Sequence, residues 1–466
     1  MCNRRILEFF GSNPDPSGPP GWRAQPPGGY DAAPTPAEAP PVPDPTRVLL
    51  LAEACNPAWT SVPLVGYNLA RALSRRPDLR LTLATHVRNR PEVEADPIAA
   101  DAELVFVDNE ALARPLHRLS TRLRGGKSLA WTTEMALAWP SYVYFEKLVY
   151  RLLGDRLRAG GFDLIHRVTP VSPTMPSPLA KLAAPTPMIL GPLNGGLPWP
   201  KDHPHLRRRE REWLAKFRAA YKAMPYYRQT YKHAAAVLAG SRHTLSEVPT
   251  WFQGIKAWLP ENAIDPARFP VAEGWTPPAP GAAFRFITVG RLVPYKAMDL
   301  ILEAMGGSDL LKTCELEVVG DGPMRGELSA TAERLGLADR VRFAGWLDQP
   351  TLADRLGRAQ AFAFPSLREF GGGVVLEAMA RGLPAVVVDY GGPAELATDD
   401  CALRVPMGPR DAIIPALRAS MERLAGDPGL CARLGAAAAG RVRSDYTWEA
   451  KAERVVEFYR QVMAER

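Results

Sequence analysis

Hydrophobic positions between residues 47 and 241 fall into short, dense runs: RVLLLAEA, RLTLATHV, AELVFVDN, FDLIHRV, PMILGPLNGG and AAAVLAGS. Each is strand-length and closes on Gly, Pro, Asn, Ser or a similar break, the texture of a strand buried on both faces. Between the first two runs the period changes to three and four, with Leu64, Tyr67, Leu69, Ala72 and Leu73 on one side of an expected helix. Strands alternating with helices predict a parallel α/β sheet. The alternation stops over 260–283, which is proline-rich and aperiodic, and restarts with FRFITVG, ELEVVG, VRFAGW, QAFAFPS and PAVVVD. Two such units predict two Rossmann-like lobes whose strand C-termini face a common cleft. The last residues read as a helix with Val455, Val456, Phe458, Tyr459 and Val462 on its apolar side. The expected domains are therefore a first lobe at 47–270, a linker at 271–283 and a second lobe at 284–447. A final helix at 448–466 is expected to return to the first lobe.

The segment before residue 47 has a different texture. Twelve prolines lie between Gly11 and Thr46, with almost no large aliphatic residue. Too little apolar surface is available there to offset the entropy of ordering, so 1–46 is expected to be disordered. With 466 residues, two or three domains are expected. The 57 Lys and Arg exceed the 50 Asp and Glu by a net charge of only +7, which suits small anions or a membrane surface as well as nucleic acid. Five cysteines, Cys2, Cys55, Cys314, Cys401 and Cys431, form no C-x-x-C pair, so a reducing compartment is expected. The opening MCNRRILEFF carries Glu8 inside a short apolar run, and no secretory leader or membrane span is expected. The expected location is cytoplasmic, free or peripheral on the inner face of the cytoplasmic membrane.

Candidate chemistry concentrates in the second lobe. In FPSLREFGGGVVLEAMARGLP (364–384) a strand runs into a loop with Arg368, Glu369 and the glycines Gly371, Gly372 and Gly373; a helix then opens at Val374. Glycines before a helix start let a ligand approach the backbone, and the free N–H groups there favour an anion. Glu377 follows one turn into that helix. In VGRLVPYKAMDL (289–300), Gly290 permits a tight turn, and Arg291 and Lys296 can project into the cleft. A guanidinium and an ammonium so placed suit a diphosphate. Gly320, Gly322 and Gly326 in VVGDGPMRGEL nearly spell a dinucleotide-binding fingerprint, with the last glycine one place late.

These motifs together resemble the retaining family 4 glycosyltransferases of the GT-B fold, also called glycosyl transferases group 1. The likeness rests on Gly290-Arg291 with Lys296, the GDGP turn, the E-x7-E pair Glu369 and Glu377 running into LEAMARGLP, and GGPAEL at 391–396. FDLIH (162–166) and PENAID (260–265) extend it into the first lobe. The resemblance implies two Rossmann-like domains and a nucleotide-diphosphate sugar, UDP- or GDP-linked, as donor. It implies that Arg291 and Lys296 grip the diphosphate, Glu377 the ribose, and Glu369 the donor sugar. Gly371, Gly372, Gly373 and Val374 would meet phosphate or sugar through their amides, Gly320 would face the nucleotide, and His166 would enter the cleft from the acceptor side. It implies no cofactor and no metal, and the chain contains no D-x-D. The paired glycines usual after the first strand are replaced by PAWTSVP, where Thr60 and Ser61 are the candidate substitutes.

One further stretch stands apart. Residues 201–233 are dense in Arg and Lys, with Trp213, Phe217, Tyr221, Tyr226, Tyr227 and Tyr231 interleaved. The pattern fits either a charged helix packed by its aromatic side or an interfacial helix on anionic lipid. No nucleic-acid motif accompanies it, and no nucleic-acid partner is expected. His203 and His205 lack further ligands nearby and read as loop residues. The expected function is sugar transfer to a glycan or lipid-linked acceptor hydroxyl in bacterial polysaccharide or cell-envelope assembly. The competing readings are an NAD(P)-dependent Rossmann oxidoreductase, a glycoside hydrolase and a non-catalytic nucleotide-sugar-binding scaffold.

Overall fold

Apolar strands without a polar face must be covered on both sides, and the chain answers with two helix-flanked sheets. The computed structural model describes residues 44–124, 131–204, 206 and 221–465. The first sheet comprises β1 (Thr46–Ala52), β2 (Leu79–His86), β3 (Glu103–Val107), β4 (Leu164–Thr169), β5 (Met188–Leu193), β6 (Ala234–Ala239) and β7 (Ile255–Trp258). Its order is β3-β2-β1-β4-β5-β6-β7. The second comprises β8 (Arg285–Val289), β9 (Glu315–Val319), β10 (Val341–Gly345), β11 (Ala361–Phe364), β12 (Ala385–Val388) and β13 (Ala402–Val405), in the order β10-β9-β8-β11-β12-β13.

Both sheets are parallel and reverse direction of growth at one point. Val48 of β1 pairs with Leu81 on one side and Leu164 on the other. Phe286 of β8 likewise lies between Leu316 and Ala361. At such a switch point neighbouring loops diverge to opposite faces and leave a crevice beyond the strand ends. That geometry puts Glu53 and Pro170 around one crevice, and Arg291 and Pro365 around the other.

Helix Val62–Ser74 buries Leu69 and Leu73 against β1, where Val48 through Ala52 are fully buried. Each such aliphatic side chain contributes about 1.5–3 kcal/mol on burial. The helix Trp448–Ala464 joins the same core through Ala452, Val455, Val456, Tyr459 and Val462. Thr447 caps it, its side chain accepting from Ala450 N–H at 3.1 Å.

Three features differ from the sequence reading. β7 and β13 are additional sheet-edge strands of four residues, IKAW and ALRV, each with a charged residue inside. The proline-rich 260–283 is packed along the second lobe: Ile264 and Phe269 are buried, and Trp275 Nε1–H donates to the Gln360 carbonyl at 2.7 Å. Tyr227 and Tyr231 of the basic stretch are buried and stack edge to face with Tyr221 and Phe252. They are core residues and not lipid anchors, because helix Tyr227–His233 presents them to the sheet. Trp213, Phe217 and His205, like the segment 1–43, lie outside the described residues. Among the described residues no helix is long and apolar enough to cross a membrane.

Candidate active site

The second-lobe crevice assembles two loops. After β8 the chain turns at Gly290, whose φ of +153° lies in glycine's range, and closes a short turn over Pro294–Lys296. Leu367 N–H from the loop after β11 donates to the Tyr295 carbonyl at 2.8 Å, so the backbones of the two loops are tied. The side chains meet as well. Lys296 Nζ pairs with the Glu369 carboxylate, with only 12% and 23% of the side chains exposed, and lies 4.8 Å above the Phe364 ring. Arg291 is exposed and its guanidinium has no partner among the described residues.

Beyond Glu369 the glycines turn the chain into helix Gly373–Ala380. Gly372 caps it with φ +58°, and a Cβ there would come within 3.2 Å of the Pro393 nitrogen. The first N–H groups of the helix, through Val374, have no helical acceptors, as at any helix start. Glu377, one turn on, is half-buried and meets no cation among the described residues, and burial pushes its carboxyl up to about 7.

The first lobe closes the opposite wall. Ser61, Val62, Val171, Asn194, Glu261 and Asn262 line a cavity of about 280 Å³ together with Glu369 and Gly371 to Gly373. An adjoining cavity of about 260 Å³ holds Glu377 and Gly373 opposite Thr60, Ser61 and Asn68. The contact is close: a Cβ at Gly371 would lie 2.1 Å from Glu261 Oε1. Glu261 is itself buried, accepts from Asn194 Nδ2 at 2.7 Å, and is held up from the ordinary carboxylate range by burial. Lys451 of the C-terminal helix, buried beside it and pushed down by burial, donates to the carbonyls of Pro260 and Asn262. Those bonds fix the turn that carries Glu261 and Asn262.

Further bonds clasp the lobes. Glu395 accepts from the Arg242 backbone N–H at 3.0 and 2.9 Å and from Trp258 Nε1 at 2.8 Å. Arg368 donates to the Leu197 carbonyl at 3.0 Å, with its guanidinium 4.3 Å from the Trp199 ring and 5.0 Å from Phe370. Tyr390 OH donates to the Pro198 carbonyl at 2.8 Å, and His203 Nε2 lies 2.8 Å from the Gly408 carbonyl.

Lys296, Glu369 and Gly371 to Gly373 are thus brought together, with Glu377 and Val374 on the same helix and Arg291 at the loop edge. Two candidates fall elsewhere. His166 lies fully buried in the middle of β4, with Nδ1 2.7 Å from Tyr459 OH and Nε2 2.7 Å from the Gly191 carbonyl. Burial holds it down to about 4 and neutral, so it ties the C-terminal helix to the sheet and does not face the cleft. Gly320 serves packing: a Cβ there would lie 2.0 Å from the Gly290 carbonyl oxygen, so it lets β9 pass under the Arg291 loop. Glu261, Lys451, Arg368 and Glu395 were not singled out from sequence as site or clasp residues. Glu261 stood in PENAID, Arg368 in the 364–384 loop and Glu395 in GGPAEL, whereas Lys451 stood in no motif.

Residues 276–439, most of the second lobe, match the family model described as glycosyl transferases group 1. The lipopolysaccharide core biosynthesis glycosyltransferase LpsD of Rhizobium meliloti is 31% identical over 188 residues, 40% of this chain and 52% of that protein. The chain spans about half the length of the curated relatives it matches. Among solved structures, sucrose-phosphate synthase of Thermosynechococcus elongatus superposes with a TM-score of 0.59 at 18% identity, covering 90% of this chain and all (100%) of that one. Anabaena HepE, in complex with UDP and glucose, gives 0.53 at 16% identity, covering 89% of this chain and 100% of that one. The shared architecture is GT-B.

Proposed function

We propose that this chain, whose second lobe matches the group 1 glycosyl transferase model, moves a sugar from a nucleoside-diphosphate donor to an acceptor hydroxyl. The observation that carries the reading is the meeting of Lys296 with Glu369 at the cavity that the helix-opening glycines enter. A diphosphate seated there would take Lys296 on one side and the N–H groups of Gly372, Gly373 and Val374 on the other. At about 4 Å and an effective dielectric near 20, one ammonium–phosphate contact amounts to roughly 4 kcal/mol. Arg291, on its exposed loop, would close over the outer phosphate.

The chemistry balances simply. The bond from the anomeric carbon to the diphosphate oxygen breaks, and the bond to the acceptor oxygen forms. The acceptor proton leaves with the nucleoside diphosphate. Negative charge grows on the diphosphate as the bond breaks, where Lys296, Arg291 and the helix start stabilise it more than in the ground state. Glu369 would hold sugar hydroxyls, and Glu377 the ribose. Retention of configuration, independence of metal and a role in envelope polysaccharide assembly belong to the same proposal, the last supported by the printed role of the LpsD relative. So does docking of an anionic membrane through the basic residues of 201–233.

A thermal-shift panel of UDP- and GDP-sugars tests it, since a ligand that binds only the folded state raises the melting temperature by mass action. One donor should stabilise the protein, and Lys296→Ala and Arg291→Ala should each abolish the shift. An undiminished shift in both variants would mean that the diphosphate sits elsewhere.

A further inference from the structure

The connection that follows β5 does not stay with its own sheet. Asn194 is still held there, its N–H donating to the Val171 carbonyl at 2.7 Å. Gly195 and Gly196 then turn the chain at φ of +153° and +77°, conformations open to glycine. From Leu197 the chain crosses to the second lobe as a strap. Leu206 is buried within that lobe's hydrophobic core, the cluster that holds Phe286, Leu316 and Val386. His203 Nε2, 2.8 Å from the Gly408 carbonyl, and the Pro198 carbonyl, which accepts from Tyr390 OH at 2.8 Å, fasten the strap on either side of Trp199.

Trp199 stands where the two loops of the candidate donor site come together. Its ring meets the Tyr295 ring edge to face at 6.3 Å, and Tyr295 immediately precedes Lys296. The Arg368 guanidinium lies 4.3 Å from the same Trp199 ring, and Arg368 immediately precedes Glu369. One first-lobe side chain thus bears on the neighbour of each member of the Lys296–Glu369 pair. Arg368 has little freedom there. It is buried, is flanked by the Phe370 ring at 5.0 Å, and donates to the Leu197 carbonyl at 3.0 Å. A planar guanidinium held against an aromatic face and bonded at its edge has a fixed orientation, which it passes to the residue that follows it.

The strap does not need Trp199 to stay docked, since Leu206, His203 and the Pro198 carbonyl anchor it independently. Nor do the backbones of the two loops, which Leu367 N–H ties to each other through the Tyr295 carbonyl. What Trp199 adds is the direction of the two charged side chains. Under the proposed function, on which this inference rests, Lys296 takes the diphosphate and Glu369 the sugar. Their mutual setting then decides whether one donor satisfies both. We propose that Trp199 is a positioning residue for the donor sugar, a first-lobe side chain that sets Glu369 against Lys296 through Arg368 and Tyr295.

Isothermal titration of the full chain with UDP or GDP, and with the matching UDP- or GDP-sugar from the thermal panel, tests this in Trp199→Ala and Trp199→Phe. In Trp199→Ala the free diphosphate should bind within about twofold of the unaltered protein, because Lys296 and the helix-start amides remain. The sugar nucleotide should bind roughly tenfold more weakly, the loss expected when one charge-assisted bond is misdirected. Trp199→Phe keeps an aromatic face over the guanidinium and should recover most of that loss. Arg368→Lys, which keeps the charge without the planar face, should show the same split, and it carries the test if Trp199→Ala does not fold. Equal losses for diphosphate and sugar nucleotide, unchanged affinity for both, or a loss that phenylalanine does not recover overturns the inference and leaves the proposed function standing. Absence of any binding of UDP, GDP or their sugars to the unaltered protein sinks the proposed function itself.

Discussion

Replacing Glu369 by glutamine should separate donor binding from donor turnover. In the structure the carboxylate neutralises Lys296, the cation proposed to hold the diphosphate. An incoming diphosphate therefore shares its lysine with a fixed anion. If carboxylate and phosphate occupy opposite sides of one ammonium, they stand about 6 Å apart, and their repulsion at an effective dielectric near 20 is close to 3 kcal/mol. Partial exposure of Glu369 reduces this, and a gain of about 1–3 kcal/mol corresponds to roughly 5- to 150-fold tighter binding of free UDP or GDP. The same change removes the carboxylate proposed to hold the donor sugar, so transfer should fall by roughly 100-fold. Isothermal titration of the nucleoside diphosphate, with initial rates on the donor found in the thermal panel, reads both effects. Weaker or unchanged diphosphate binding in Glu369→Gln would refute the competition on Lys296 from which the argument starts.

Other outcomes follow from the same geometry. Gly371→Ala puts a methyl group 2.1 Å from Glu261 Oε1, so closure of the cavity should fail. Transfer should drop more than about tenfold while diphosphate affinity in titration is kept, as expected when only the assembled site is damaged. Glu395→Ala strips the acceptor from Arg242 N–H and Trp258 Nε1–H, and should cost roughly 1.5–3 kcal/mol of interlobe contact. Small-angle scattering should then show a larger radius of gyration, and an unchanged profile would contradict the clasp. Burial raises the Glu377 carboxyl to about 7, so the folded state binds that proton more tightly than the unfolded chain. Its contribution to stability is thus present at low pH and lost as pH rises through 7. Glu377→Gln should melt higher than the unaltered protein at pH 8, with the difference gone below about pH 5; equal melting at both would deny the unpaired burial.

Much of the fold is legible in the chain because parallel strands buried on both faces leave uninterrupted apolar runs, as in LLLA of β1 and AVVV of β12. β7 and β13 escape notice because an edge strand of four residues carrying Lys256 or Arg404 has neither the length nor the texture of its neighbours. The second-lobe loops are readable for a related reason. Glycines at a strand-to-helix turn are a local requirement, and Glu369 stands two residues before the first of them. Glu261 and Lys451 carry no such mark: they are 190 positions apart and become partners only when the C-terminal helix lies across the first lobe. His166 misleads because a histidine near a strand end looks the same in sequence whether its ring faces a cleft or, as here, a tyrosine on a covering helix.

The most direct measurement is a crystal structure of the full chain with UDP or GDP bound. The diphosphate should lie between Lys296 Nζ and the backbone N–H groups of Gly372 and Gly373, at hydrogen-bond distance from both. A diphosphate touching neither, or one held by the first-lobe strand ends beside Glu53, would contradict the assignment of the second lobe as the donor site.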